Sequence, residues 1–204
     1  MQPFTHVTGA AAPLLLPNVD TDVIIRMDSL LGGGDLARFA LAALRFLPDG
    51  APNPSCVLNE PRFAAAPILL AGPNFGCGSS REVAVTALQA LGIRCVIAPS
   101  FGDIFHANCF RNGMLPIELP LRAVERLAGE ARAGDFTVDL EAKRVLTPSG
   151  VAVPFEVDGL QREALLEGLD EIGLTLKYAA EIAAWQSADR EARPWVWRVP
   201  RTEL

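Results

Sequence analysis

The segment from residue 67 to residue 119 constrains the fold more than any other, because short apolar runs alternate there with helical patterns. The apolar runs are predicted strands at residues 68–71 (ILLA), 94–100 (RCVIAPS) and 114–119 (MLPIEL). Two helices are predicted between them, one from Arg81 and one in residues 101–113, and glycines at Gly92 and Gly113 end them. Strands that alternate with helices pair in parallel through right-handed crossovers. The segment therefore predicts an α/β fold with a parallel sheet.

The flanking regions give weaker patterns. Before the alternating segment, the sequence predicts short strands at residues 14–16 and 23–25 around a polar turn, then a helix over residues 36–47. After it, we predict a helix at 121–133, strands at 136–140, 143–147 and 151–157, and helices between 159 and 185. We expect one domain over residues 1–204, of which about 186–204 form an irregular C-terminal tail.

The composition disfavours two classes of partner. The chain has 204 residues, a net charge of −6 and an isoelectric point near 5.0. An acidic chain is repelled by nucleic acid and by an anionic membrane surface. The longest apolar runs are too short to span a bilayer, and the first residues lack a signal-peptide pattern. We expect a cytoplasmic protein without nucleic-acid or membrane partners.

The cysteines indicate that this chain holds no metal. They lie far apart in the sequence and form no C-x-x-C pair: Cys56, Cys77, Cys95 and Cys109. Zinc and most iron–sulfur sites need closely spaced thiolates. The two histidines, His6 and His106, cannot complete a site between them. The prediction is four free thiols in a reducing compartment.

The loop NFGCGSSREV, residues 74–83, is the candidate site because it follows a predicted strand of the parallel sheet. One interpretation is structural: Ser79 and Glu82 fit the S-x-x-E capping box that begins many helices. The other is functional: Gly76 and Gly78 let backbone amides approach an anion at a helix start, and Arg81 offers a bidentate fork for a carboxylate. The pattern alone favours the cap. It is not a nucleophile elbow, because G-x-S-x-G is absent.

Four ordered segments resemble one known family: NVDTDVII (18–25), NFGCGSSRE (74–82), VIAPSFGDIFHAN (96–108) and GMLPIEL (113–119). Together they resemble the small subunit of 3-isopropylmalate dehydratase, a member of the aconitase swivelling-domain family, over about residues 4–185. The resemblance implies an aconitase-like swivelling domain, layered β/β/α with a mostly parallel central sheet.

The resemblance also implies a hydro-lyase that isomerises a small hydroxy-dicarboxylic acid by dehydration and rehydration. Such a small subunit is active only with an aconitase-like large subunit, which carries a 4Fe–4S cluster, and has no cofactor of its own. Carried over by position, Ser79 matches the catalytic base. Ser80, Arg81 and Asp22 match substrate-binding residues.

The sequence departs from the family pattern near the site. Val83 stands where the family has histidine, Arg26 replaces a proline, and Gly34 and Asp35 occupy the place of an expected cation, for which Arg26 or Arg38 could substitute. Two alternatives therefore stay open beside isopropylmalate chemistry. One is a related hydro-lyase with a homoaconitate-like or alkyl-malate-like substrate, and the other is a non-catalytic paralogous subunit.

The glycine-rich segment 31–35 lies at the substrate cleft in that family. Three successive glycines lose much conformational entropy on ordering, so we expect this segment to be mobile in the free subunit. Leu30, Leu31 and Leu36 flank the glycines and predict an apolar rim. Such a rim favours a branched alkyl group over a third carboxylate, because a buried unpaired charge is costly.

Overall fold

The fold contains two four-stranded sheets, one parallel and one antiparallel, in a computed structural model that describes residues 1–26 and 35–197. The strands are β1 (His6–Gly9), β2 (Ala11–Leu14), β3 (Ile68–Ala71), β4 (Cys95–Ala98), β5 (Leu115–Glu118), β6 (Phe136–Asp139), β7 (Arg144–Leu146) and β8 (Ala152–Pro154). The helices are α1 (Thr21–Ile24), α2 (Leu36–Phe39), α3 (Ala42–Arg45), α4 (Glu82–Ala90), α5 (Asp103–Arg111), α6 (Leu121–Glu130), α7 (Gly159–Glu167), α8 (Glu171–Leu176) and α9 (Ala179–Ala192). A 3₁₀ helix lies at Val57–Asn59.

The parallel sheet has the strand order β2-β3-β4-β5 and positions the candidate site. Every residue of β3 and β4 is buried, as expected for strands covered on both faces. Ile68 of β3 lies opposite Ala11 of β2 and Cys95 of β4, so the three strands run in register and end at the same edge. Helix α6 packs against β2, β3 and β4, while α4 contacts α5. The predicted parallel unit is confirmed.

The antiparallel sheet has the order β1-β6-β7-β8. His6 of β1 lies opposite Asp139 of β6, and Arg144 of β7 lies opposite Pro154 of β8. The three strands predicted between residues 136 and 157 are present, each shorter than expected.

Three predictions in the first part of the chain differ from the structure. Residues 23–25 do not form a strand, because Asp20 caps helix α1 and its Oδ1 accepts the amide of Val23 at 2.7 Å. The predicted strand at 14–16 lies earlier, as β2.

The single helix predicted over residues 36–47 is divided into α2 and α3 by Leu41, whose backbone is left-handed with φ = +52°. A fully buried Leu41 side chain holds this conformation, so tertiary packing overrides the helical pattern.

The C-terminal tail is also more regular than expected. Helix α9 extends to Ala192, so the tail is not irregular from residue 186. Its sequence is rich in alanine, which has the highest helix propensity. Two residues that follow the helix donate hydrogen bonds back to the carboxylate of Asp189 in its last turn, Arg193 Nε at 2.6 Å and Trp197 Nε1 at 2.9 Å.

Two ranges lie outside the described residues, 27–34 and 198–204. The first contains most of the glycine-rich segment that was predicted to be mobile. In the two described ranges, every helix falls short of the length and apolarity that a membrane crossing requires.

Candidate active site

Three turns meet at the edge where the parallel strands end. They follow β2, β3 and β4, and they contain residues 15–20, 72–81 and 99–102. The amide of Gly76 donates to the carbonyl of Val19 at 2.7 Å, which joins the first turn to the second. The amide of Phe75 donates to the carbonyl of Ser100 at 3.0 Å, which joins the second turn to the third. The family-like segments are therefore brought together by the sheet.

Thr21 fixes the second turn close to the candidate serines. Its amide donates to the carbonyl of Cys77 at 2.9 Å, and its Oγ1 donates to the carbonyl of Ser79 at 3.1 Å. Thr21 is only 1% exposed, so both of its donor groups are shielded from bulk water. The turn is thus attached to helix α1 on both sides of Gly78.

Gly76 lets the turn lie directly on an aromatic side chain. Its φ is +72°, and a Cβ built there would lie 2.2 Å from Cγ of Phe105. The Phe105 ring packs edge-on against Phe75, with ring centroids 5.5 Å apart, and stacks with Phe101 at 6.3 Å. No side chain other than hydrogen fits between the turn and this ring.

Ser79 and Ser80 are both exposed, and their hydroxyls make no hydrogen bond within the described part of the chain. The capping-box interpretation is wrong. Helix α4 begins at Glu82 after Arg81, without a side-chain cap. Glu82 does not return to Ser79, because its Oε1 accepts a hydrogen bond from Asn112 Nδ2 at 3.0 Å. The serine hydroxyls are therefore not used in starting the helix.

Arg81 lies beside Asp22. Nη1 of Arg81 donates to Asp22 Oδ1 at 2.5 Å and to the carbonyl of Ile25 at 3.3 Å. The Arg81 side chain is 18% exposed, and that of Asp22 is 60% exposed. The described residues offer no partner to Nη2 or Nε of Arg81. The structure thus brings together all four predicted site residues: Asp22 pairs with Arg81, which directly follows Ser79 and Ser80.

The departures from the family pattern have different structural roles. Val83 is partly buried and packs against the core. Asp35 caps helix α2, with Oδ1 accepting the amide of Ala37 at 3.0 Å. Arg26 and Arg38, the two cations that could replace the missing one, are exposed. The leucines at 30 and 31 and the glycines at 32–34 lie outside the described residues.

The described residues contain no group of three or more His, Cys, Asp or Glu side chains that could hold a metal ion. Cys56, Cys95 and Cys109 are buried, and Cys77 is partly exposed in the candidate turn. Burial raises the pKa of the Cys95 and Cys109 thiols, which disfavours the thiolate that a metal would need. The donor set does not fit an iron–sulfur cluster on the described part of this chain.

Two residues that shape the site, Thr21 and Phe105, are not identified by the sequence patterns. In the sequence, Thr21 is part of a polar turn, and Phe105 is one apolar position of a helix. The signal that could have identified Phe105 is Gly76, since a glycine where no end of a helix requires one indicates close packing. No local pattern links Thr21 to Ser79, because the two residues are 58 positions apart.

Three family models match the chain. The Aconitase C-terminal domain matches residues 1–122, and LeuD_N matches residues 125–159. The C-terminal domain of the 3-isopropylmalate dehydratase small subunit matches residues 171–197.

Curated relatives and a solved structure agree with these models. A 3-isopropylmalate dehydratase small subunit of Rhodospirillum centenum is 51% identical over 200 residues, covering 96% of this chain and 98% of that protein. One from Cereibacter sphaeroides is 50% identical and covers 96% of this chain and 100% of that protein. The crystal structure of 3-isopropylmalate dehydratase (leuD) from Methanocaldococcus jannaschii is similar with a TM-score of 0.63 at 28% identity, covering 89% of this chain and 99% of that one. From the models, the relatives and the fold together, we conclude that the chain belongs to the 3-isopropylmalate dehydratase small subunit family, within the aconitase-like fold.

Proposed function

We propose that this chain is the small subunit of a two-subunit hydro-lyase that interconverts 2-isopropylmalate and 3-isopropylmalate in leucine biosynthesis. The relatives named above support the substrate and the reaction by their names. The observation that carries the proposal is the pair of exposed serine hydroxyls beside Arg81, which have no structural partner in the described chain. A non-catalytic subunit would have no need for such an arrangement at the end of a parallel sheet, where ligands bind in α/β folds.

Arg81 is the proposed ligand of a substrate carboxylate. Its Nη1 is held by Asp22 and Ile25, which fixes the plane of the guanidinium. Nη2 and Nε then point their N–H groups away from those partners, and a planar fork of this kind matches a carboxylate. In this proposal Asp22 contributes to substrate binding chiefly through Arg81, because its own negative charge would repel the substrate.

We propose that the hydroxyl of Ser80 donates a hydrogen bond to the same carboxylate and that Ser79 removes the substrate proton. The start of helix α4 stabilises a nearby anion by only about 0.3–1 kcal/mol. A tenfold shift in a protonation equilibrium requires about 1.4 kcal/mol. The free chain therefore cannot hold Ser79 as an alkoxide near neutral pH. Additional positive charge and exclusion of water in a closed cleft must supply the difference, so we propose that Ser79 is inert until a large subunit docks.

The proposed large subunit is aconitase-like and carries the cofactor. Its 4Fe–4S cluster supplies Lewis-acid chemistry toward the substrate hydroxyl and carboxylate when bound. The absence of a cofactor from this chain stays a prediction, which anaerobic reconstitution of the isolated chain tests: a stoichiometric cluster on this chain alone would contradict it. We further propose a cytoplasmic location, in keeping with the free cysteines and the acidic charge.

The function is tested by assembling the purified chain with a purified aconitase-like large subunit in the absence of oxygen. We expect the pair to interconvert the two isopropylmalates and each protein alone to be inactive. A higher kcat/KM for citrate or homocitrate than for 3-isopropylmalate would refute the proposed substrate and favour the related hydro-lyase.

The role of Ser79 is tested in the same pair with Ser79→Ala. We expect turnover to fall below detection, while the free energy of unfolding changes by less than about 0.5 kcal/mol, as for other surface positions. Ser55→Ala, at an exposed serine outside the site, is the matched control and should retain full turnover. Normal turnover by the Ser79→Ala pair would exclude Ser79 as the base.

A further inference from the structure

The end of the turn that carries the candidate base, residues 78–80, is attached at fewer points than the part before it, which is held by the hydrogen bonds of Phe75, Gly76 and Cys77. Gly78 precedes Ser79 with φ = +95°, a conformation that glycine reaches without strain but does not enforce. Gly78, Ser79 and Ser80 are all exposed. Among the described residues, the bond from Thr21 Oγ1 is the one hydrogen bond that Ser79 makes.

Thr21 is itself rigidly placed. It is buried at the start of helix α1, where Asp20 caps the helix and the amide of Ile25 donates to the Thr21 carbonyl at 2.9 Å. The amide of Thr21 donates to the carbonyl of Cys77 and its Oγ1 donates to the carbonyl of Ser79, so these two hydrogen bonds lie on either side of Gly78. A β-branched residue has few χ1 choices, and the buried hydroxyl is directed at the Ser79 carbonyl.

We propose that Thr21 is a positioning residue for Ser79: its hydroxyl fixes the main chain of the catalytic turn, and through it the direction of the Ser79 side chain. This inference rests on the proposed function of Ser79. Thr21 is buried behind the turn and almost entirely removed from solvent, so it acts on the reaction only through Ser79. A misplacement of about 1 Å at a reacting group lowers a rate by about a hundredfold, which makes one hydrogen bond to this turn important.

The test compares Thr21→Val, which removes the hydroxyl and keeps the branched shape, with Thr21→Ser, which keeps the hydroxyl. Thr147→Val is the matched control, because Thr147 is also buried in a turn. Its Oγ1 shares a hydrogen bond with Ser149 Oγ at 2.8 Å and accepts one from the amide of Val151 at 3.3 Å. Thr21→Ala serves if Thr21→Val does not fold. Two experiments are made: the kinetics of the assembled enzyme give kcat and KM, and NMR of the free subunit gives the backbone ¹⁵N order parameters of residues 78–80.

We expect Thr21→Val to lower kcat by about 10- to 100-fold with little change in KM. We expect its order parameters at residues 78–80 to fall toward about 0.6 from the value near 0.85 of a rigid backbone. Thr21→Ser should keep kcat and the order parameters near their wild-type values, and Thr147→Val should change neither, even if it lowers stability as much as Thr21→Val.

Order parameters that match those of Thr147→Val would overturn the proposal, as would a loosened turn with unchanged kcat. A wild-type pair that does not act on isopropylmalate would instead refute the proposed function. In that case the order parameters still decide whether Thr21 holds the turn.

Discussion

Replacement of Gly76 by alanine should destabilise the chain through two separable effects. The first is backbone strain, because φ is +72° at this position and an L-residue in the left-handed region costs about 1–2 kcal/mol. The second is overpacking, because the new methyl would lie 2.2 Å from Cγ and 2.5 Å from Cδ1 of Phe105. Phe105 is 2% exposed and wedged between Phe75 and Phe101, so its ring cannot move aside freely. Overpacking of a buried site costs about 1–3 kcal/mol.

Gly50→Ala separates the two effects. Gly50 has a similar φ of +83°, and nothing lies within 4 Å of a Cβ built there. Urea unfolding of both variants, followed by circular dichroism, should give a free energy of unfolding for Gly76→Ala about 1–3 kcal/mol below that of Gly50→Ala. For a chain of this length, each kcal/mol lowers the melting temperature by about 2–4 °C.

Equal destabilisation by the two substitutions would refute the reasoning, because it would mean that the turn does not rest on the Phe105 ring. The double variant Gly76→Ala with Phe105→Leu provides a further check. If the clash is real, the smaller leucine relieves it, and the double variant loses less stability than the sum of the single variants.

Two further predictions concern groups outside the site. Asp158 caps helix α7, because its Oδ1 accepts hydrogen bonds from the amides of Leu160 at 2.9 Å and Gln161 at 3.2 Å. Asp158→Ala should therefore lower the free energy of unfolding, measured by urea denaturation, by about 0.5–2 kcal/mol. No change would show that helix α7 needs no cap. Burial lowers the pKa of His106, although Glu118 and Asp103 oppose the shift, so the unfolded chain takes up this proton more readily than the folded one. The free energy of unfolding should therefore fall as the pH drops below about 6.5, and His106→Gln should make that fall smaller between about pH 7.5 and 5.5. Identical dependences of the free energy of unfolding on pH in the two proteins would contradict this role of His106.

The parallel unit was predictable because its signals are local. The strand predicted at 68–71 agrees with β3 residue for residue. Gly92 and Gly113 follow the ends of α4 and α5 in the left-handed region, with φ of +92° and +76°. Buried apolar runs and glycines after helices carry the same meaning in most α/β folds.

Two of the errors lie where residues outside a segment decide its structure. A run of three apolar residues at 23–25 is compatible with a strand or a helix, and the Asp20 cap decides for α1. The S-x-x-E pattern at Ser79 predicted a cap, but Asn112, 30 positions after Glu82, takes the carboxylate. Neither outcome is encoded within the segment itself.

The candidate site was predictable only in part. The resemblance to a known family singled out Ser79, Ser80, Arg81 and Asp22, and the fold places them together, but their roles stay predictions. The ion pair between Asp22 and Arg81 spans 59 positions, so it depends on the parallel sheet rather than on any local pattern.

The path of the first strands sets the order in which the chain can fold during synthesis. Strands β1 and β2 are separated only by Ala10, yet they belong to different sheets. β2 can pair once residues 68–71 have left the ribosome, but β1 must wait for β6, with Thr8 joining Thr137 across 129 positions. Such distant pairings form slowly, and unpaired strand edges promote aggregation. Most of the polypeptide must therefore be synthesised before its first strand finds a partner, and the nascent chain is exposed to aggregation and to chaperones until then.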